Sequence, residues 1–153
     1  MMGCRHMDER YFCAVKALIF QDDRFLIVKR SLNARGDAHS WELPGGKLEF
    51  KESPEIALVR EVKEETSLNV KCAFPISTWT FMKTTNDQVI GITMLCTLEK
   101  SGLVTLSKEH DDFAWIKESE ISNYPFSKGV EETIRKLDWD LLKMLKIDFC
   151  KNS

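Results

Sequence analysis

The chain has 153 residues, 43% hydrophobic and 30% charged, with a formal net charge of -2 at pH 7. That length suits one domain with a real core and is too short for two of ordinary size. The slight acidic excess argues against bulk electrostatic capture of DNA or RNA and leaves only a small local basic patch open. No apolar run approaches the ~20 residues needed to span a bilayer.

The opening stretch, MMGCRHMDER, lacks the apolar core of a signal peptide, and residues 1–9 read as a loose tail before a single domain over 10–150. YFCAVKALIF (11–20) is rich in strand formers, QDDR is a turn, and FLIVKR (25–30) is a second strand, so the pair reads as a hairpin. Residues 31–40 are polar and irregular, hence a loop. Pro44 and the Gly45-Gly46 pair bend the stretch WELPGGKLEF. Ser53-Pro54 is a helix-start signal, because serine caps the first free N–H groups and proline suits the first helical position. The helix is expected to run to Thr66, with Ile56, Val59 and Val62, flanked by Ala57 and Leu58, as its buried side. Two extended runs follow, at 69–82 and 88–98, joined through TTND, and DDFAWI (111–116) reads as a short strand. Val130, Ile134, Leu137, Leu141 and Leu145 fall at helical spacing and predict one last helix over 128–146. The order is mixed α/β, with helices packed on a sheet.

Five scattered cysteines, Cys4, Cys13, Cys72, Cys96 and Cys150, have no CxxC spacing. That pattern argues against a zinc site and reads as reduced thiols of a cytoplasmic protein.

The first helix ends on an unusual set of charges. Glu61, Glu64 and Glu65 are spaced i, i+3 and i+4, share one face and repel one another, near the end where the backbone dipole is already negative. An exposed acidic face is usually just solvated, and each like-charge pair costs only ~0.2–0.5 kcal/mol there. Carboxylate oxygens are also hard ligands suited to Mg²⁺ or Mn²⁺, and a cation would relieve the repulsion. Gly45-Gly46 lets backbone approach closely and frees a carbonyl as a further ligand.

These residues resemble the Nudix box of the Nudix hydrolases, of the MutT-like kind. The pattern is a glycine, five residues, a glutamate, seven residues, Arg-Glu, an aliphatic residue, any residue, Glu-Glu, any residue, a glycine and an aliphatic residue. Gly46, Glu52, Arg60, Glu61, Val62, Glu64, Glu65 and Leu68 match it, and Ser67 stands where the last glycine would be. Serine in the left-handed conformation costs roughly 1 kcal/mol, so an effect on stability or on the turn is expected there, with catalysis retained.

The resemblance implies an α+β fold of the Nudix type, an α/β/α sandwich with a mixed sheet, a Nudix helix and a C-terminal helix. It implies Mg²⁺-dependent hydrolysis, Mn²⁺ being an alternative ion, of a diphosphate linked to a nucleoside or other group. Glu61, Glu64 and Glu65 match the family's metal ligands, and the Gly45 carbonyl its backbone ligand. Arg60 would hold Glu61 in place. Arg30, Gly46 and Glu52 fall on the substrate side, with Glu52 bracing the loop against Lys47 or Arg60. Glu109, six residues before Trp115, is the candidate distant carboxylate, as base or further ligand, with Asp111 and Asp112 as rivals. The general base is either Glu61 or Glu109. His39 is an ordinary exposed loop histidine or touches substrate; Trp41 reads as core. Trp79, Phe81, Tyr124 and Phe126 are core or line a base pocket.

The asparagine with which MutT-like members read oxidised guanine has no good counterpart: Ser127 lies near that place and Asn123 four residues earlier. The proline typical of ADP-ribose hydrolases would fall near Lys83, and none is close. The leading expectation is a small-molecule enzyme, monomeric or homodimeric, that splits nucleoside triphosphates into monophosphate and pyrophosphate. The alternatives are an ADP-ribose-like pyrophosphatase and a non-catalytic nucleotide sensor; RNA decapping is disfavoured by charge.

Overall fold

The computed structural model describes residues 9–33 and 38–151. The expected tail over 1–9 lies, apart from Glu9, outside these residues, as do 34–37 of the expected loop. Strands β1 (Arg10–Gln21) and β2 (Arg24–Arg30) form the first hairpin. A two-residue strand β3 (Trp41–Glu42) leads to helix α1 (Pro54–Thr66). Strands β4 (Val70–Met82) and β5 (Asp87–Leu98) form the second hairpin, and β6 (His110–Ile116) follows. A 3-10 helix (Glu118–Asn123) precedes α2 (Lys128–Arg135) and α3 (Trp139–Lys151).

The sheet runs β3-β2-β1-β5-β4, with β6 paired to β2. It is mixed: β1 and β5 are parallel from Arg10↔Asp87 to Phe20↔Thr97, and the other pairs are antiparallel. The period of two along β1 divides the core. Val15, Ala17 and Ile19 pack toward α1 with Leu58, Val62 and Met94. Leu18 and Phe20 join Phe25, Ile27, Ile134 and Trp139 on the other face, with α2 and α3. The result is the expected α/β/α sandwich.

Helix α1 starts where its sequence says. The Ser53 hydroxyl accepts from the Ile56 amide at 3.4 Å and Pro54 opens the first turn. It ends at Ser67, which is left-handed (φ 61°) and returns its amide to the Lys63 carbonyl at 2.9 Å. The Ser67 hydroxyl donates to the Thr105 carbonyl at 3.3 Å, a contact glycine could not make. The buried side differs from expectation. Ala57, Leu58 and Val62 are buried, joined by Glu65 and Thr66, whereas Ile56 and Val59 are 60% and 39% exposed.

The expected single C-terminal helix is two. The chain breaks over 136–138, and Asp138 caps α3, its carboxylate accepting from the Leu141 amide at 3.0 Å. The turn swings the Trp139 ring onto Phe25, 5.0 Å between centroids, and its indole N–H donates to the Ile134 carbonyl. Burying that ring favours the break over a continuous helix. Leu141, counted in the apolar stripe, is 48% exposed.

Leu58→Ala should lower stability by about 2–5 kcal/mol, because it empties a buried site. Ile56→Ala should change it by less than ~0.5 kcal/mol. Urea unfolding of both variants checks which side of α1 meets the sheet, and the reverse order would contradict this packing.

Candidate active site

The segment from Pro44 to Leu48 is laid along β1 by backbone hydrogen bonds. Ala17 donates to Pro44, Val15 to Gly46, and Leu48 to Cys13, all at 2.8–3.0 Å. Gly45 has φ 132°, and a Cβ there would sit 2.2 Å from the Val15 carbonyl oxygen, so only glycine fits. A Cβ on Gly46 would fall 2.5 Å from the carboxylate carbon of Glu61. The two glycines thus bring loop backbone against β1 on one side and α1 on the other.

The three helix carboxylates have different surroundings. Glu65 turns inward, 6% exposed, and accepts from the Gly45 amide at 2.8 Å. Glu61 is held by Arg60, Nη1 to Oε1 at 2.9 Å, and the more exposed Glu64 reaches the same Nη1 at 3.4 Å. Arg60 also grips both oxygens of Glu52, at 2.8 and 2.9 Å, and donates to the Lys47 carbonyl at 3.1 Å. Glu52 in turn accepts from the Glu49 amide at 2.8 Å. The Arg60 hydrogen bond and that backbone N–H bring the Glu52 carboxyl down to about 2. The guanidinium itself, gripped by Glu52 and Glu61, is held well above its ordinary value.

Beneath the loop lies a buried charge network that sequence reading missed. Lys16 on β1 donates to Glu42 on β3 and to the Gly45 carbonyl, both at 2.9 Å. Glu42, 7% exposed, also accepts from Arg30 at 2.8 Å and faces His110 Nε2 at 3.2 Å. His110 is 4% exposed, and among the described residues its Nδ1 has no hydrogen-bond partner. Burial pushes the Glu42 carboxyl up, but Lys16, His110 and Arg30 overcome it and hold the group far below its usual range. Burial pushes Glu65 up to about 7, against the pull of Lys16, His110 and the Gly45 amide. The available signals were a lysine inside the apolar run AVKALIF and a glutamate between Trp41 and Leu43.

The other expected residues are placed as follows. Gly45, Gly46, Arg60, Glu61, Glu64, Glu65 and Glu52 come together. Arg30 points its guanidinium at Glu42, within the network behind the loop. The loop before β6 reaches the end of α1 through Ser107, whose amide donates to the Glu65 carbonyl at 3.0 Å. Glu109 lies two residues further on and is exposed. Among the described residues no hydrogen bond or ion pair joins its carboxylate to α1. Asp111 lies 4.0 Å from His39, and Asp112 accepts from the Phe113 amide. Trp41 is core, edge-on to Tyr124 at 5.0 Å, and Phe126 is buried with it. Trp79 and Phe81 stack on each other, 6.0 Å between centroids.

The Gly45 carbonyl, matched to a metal ligand by resemblance, here accepts from Lys16. Among the described residues no three His, Cys, Asp or Glu side chains are gathered closely enough to hold an ion. The donor chemistry nonetheless fits a hard divalent cation. One arginine faces Glu52, Glu61 and Glu64, leaving two formal negative charges uncancelled at the loop. Glu64 is 61% exposed at its side chain, and Gly46 presents no side chain over Glu61.

The NUDIX domain model matches residues 10–137, and the chain belongs to the Nudix hydrolase family, whose members act on phosphoric anhydride bonds. It is similar to a nucleoside triphosphatase, NudI, of Escherichia fergusonii, 30% identical over 128 residues, which are 76% of this chain and 89% of that protein. A MutT-like protein of Streptomyces ambofaciens is 30% identical over 105 residues, 69% of this chain; the match spans 62% of that longer protein. Among solved structures, the MutT protein of Methanosarcina mazei superimposes with a TM-score of 0.76 at 28% identity, covering 88% of this chain and 96% of that one. Among the described residues no helix is long and apolar enough to cross a membrane.

The Glu65 carboxyl gives a pH prediction. Its pKa is raised on folding, so its ionisation in the metal-free protein weakens folding as pH climbs from the unfolded value of about 4.5 to the folded value of about 7. Below about 4.5 that penalty is gone, but the stability Glu42 contributes through its depressed pKa then begins to fade. In EDTA, Glu65→Gln should exceed the wild type in stability by roughly 3 kcal/mol at pH 7.5 and match it near pH 4.5. Urea unfolding at several pH values measures the gap; a gap independent of pH would show that Glu65 is not the responsible group.

Proposed function

We propose that the protein is a Mg²⁺-dependent pyrophosphohydrolase that converts a nucleoside triphosphate into the nucleoside monophosphate and pyrophosphate. The observation that carries the reading is the carboxylate face of α1, braced by Arg60 against a side-chain-free glycine loop. The similarity to a nucleoside triphosphatase over most of both chains supports the substrate class.

Glu61, Glu64 and Glu65 would hold the ion, with the Gly45 carbonyl released from Lys16 as a further ligand. Magnesium, when bound, neutralises phosphate charge and lowers the pKa of a bound water. The residues of the chain position the reactants. Arg60 fixes Glu61 through the 2.9 Å contact and locks Glu52, and with it the turn at Glu49, by two parallel hydrogen bonds. Gly46, with no side chain, lets the Glu61 carboxylate lie directly against the loop backbone. Water attacks one phosphorus, the anhydride P–O bond breaks, and pyrophosphate leaves with the electron pair. Glu61 or Glu109 accepts the proton from the water. Glu109 is exposed on a loop tied to the end of α1 and would have to swing toward the helix to do so. Arg30 is committed to Glu42, so phosphate contact there would require exchange of that pair.

Glu64→Gln or Glu65→Gln should remove most turnover, a fall of at least ~100-fold, while circular dichroism stays unchanged. The assay is product analysis by anion exchange after incubation with a nucleotide panel and Mg²⁺. Pyrophosphate release supports this reading, and a sugar phosphate from a nucleoside diphosphate sugar would replace it with the ADP-ribose-like alternative. Binding of nucleotide with no product from any substrate would make the protein a sensor.

A further inference from the structure

Two cysteines outside this site form a pair. Cys72 on β4 and Cys96 on β5 are direct partners across the antiparallel ladder, and their Sγ atoms lie 3.4 Å apart. Opposed residues in such a ladder keep their Cα atoms about 4.5–5.5 Å apart. That range falls inside the ~4.4–6.8 Å window spanned by disulfides. Both residues are free thiols. Closing the remaining gap between the sulfurs takes side-chain rotation and little movement of the strands.

The surroundings differentiate the two sulfurs. Cys96 is fully buried under α1, in one cluster with Leu58 and Val62. Cys72 is half-buried at the margin of that cluster and is the more exposed of the two. The Cys96 thiol donates to the Cys72 sulfur. That hydrogen bond lowers the Cys72 thiol from its ordinary value, against burial and the nearby Glu55 charge. The same contact, with burial, pushes the Cys96 thiol up. One sulfur is therefore prepared as the nucleophile and the other as the partner that resolves it. A register shift follows immediately after Cys72, and such a bulge gives its strand extra local twist.

We propose that Cys72 and Cys96 are an oxidation site at which a hydroperoxide converts the two thiols into a cross-strand disulfide. The Cys72 thiolate attacks one oxygen of hydrogen peroxide and breaks the O–O bond. It becomes a sulfenic acid, and the departing hydroxide takes a proton to become water. The Cys96 sulfur then attacks the Cys72 sulfur, and its proton leaves with the sulfenic hydroxyl as a second water. The two thiols lose two electrons and two hydrogens, and the peroxide is reduced to two waters. The new bond ties the two longest-paired antiparallel strands together directly beneath the acidic helix. The inference stands apart from the proposed substrate and does not require a metal.

The test uses the full-length protein with equimolar hydrogen peroxide, followed by alkylation in denaturant and non-reducing peptide mapping. The expected product is a peptide pair joined through Cys72 and Cys96, two hydrogens lighter than the reduced pair and separated by dithiothreitol. In Cys96→Ser, Cys72 should accumulate as a sulfenic acid that dimedone traps, because its resolving partner is gone. In Cys72→Ser, Cys96 should remain fully alkylatable. Recovery of both cysteines in alkylated form while exposed Cys13 is oxidised would overturn the proposal. So would a cross-link from Cys72 mainly to any cysteine other than Cys96.

Discussion

One hydrogen bond couples the acidic helix to the glycine loop. The Gly45 amide donates to the buried carboxylate of Glu65 at 2.8 Å. The same peptide segment is fixed on its other side by three backbone hydrogen bonds to β1. Central strand, loop and helix therefore move as one body, and the relative placement of Gly46 and Glu61 follows from it. A buried carboxylate is costly unless it is hydrogen-bonded. Here it meets the loop backbone from the buried side of the helix, while Arg60 meets it from the outer side at the Lys47 carbonyl. Lys16 completes the arrangement from below, joining the Gly45 carbonyl to Glu42.

The mutual repulsion expected along α1 is real but smaller than spacing alone implies. Arg60 lies between Glu52, Glu61 and Glu64, and Glu65 has left the surface altogether. The charges are thus sorted into two layers. The outer layer remains anionic and open to a cation. The inner layer of Lys16, Arg30, Glu42, Glu65 and His110 is close to balanced, with Glu42, Glu65 and His110 buried and Lys16 and Arg30 partly so. Burial is what raises the Glu65 carboxyl, and Lys16 and His110 in the inner layer limit how far it rises.

How much of this was legible depended on range. Helix α1 was readable to its ends because Ser53, Pro54 and the residue after Thr66 act within a turn of themselves. The Arg60–Glu52 contact was readable because eight residues of loop and helix separate the two. Its buried side was not, since composition cannot tell which way a helix with apolar residues at Ile56, Val59 and Val62 will roll onto a sheet. The break before α3 was hidden because Leu137, Leu141 and Leu145 keep a helical period across it, while Asp138 and Trp139 favour a turn through capping and ring burial. The Lys16–Glu42–His110 network was invisible for a different reason. It unites three strands from distant parts of the chain, and only the sheet order brings them together.

That sheet order has a kinetic consequence. The two central strands, β1 and β5, run parallel, and their first pair joins Arg10 to Asp87, positions 77 residues apart. The β1–β2 and β4–β5 hairpins can each zip locally, but their union must wait until most of the chain has left the ribosome. Until then β1 exposes an unpaired edge with the apolar run Ala17–Phe20 along it. Nascent chains should pass through a stage that holdase-type chaperones recognise, with the closing of the long loop as the slow event.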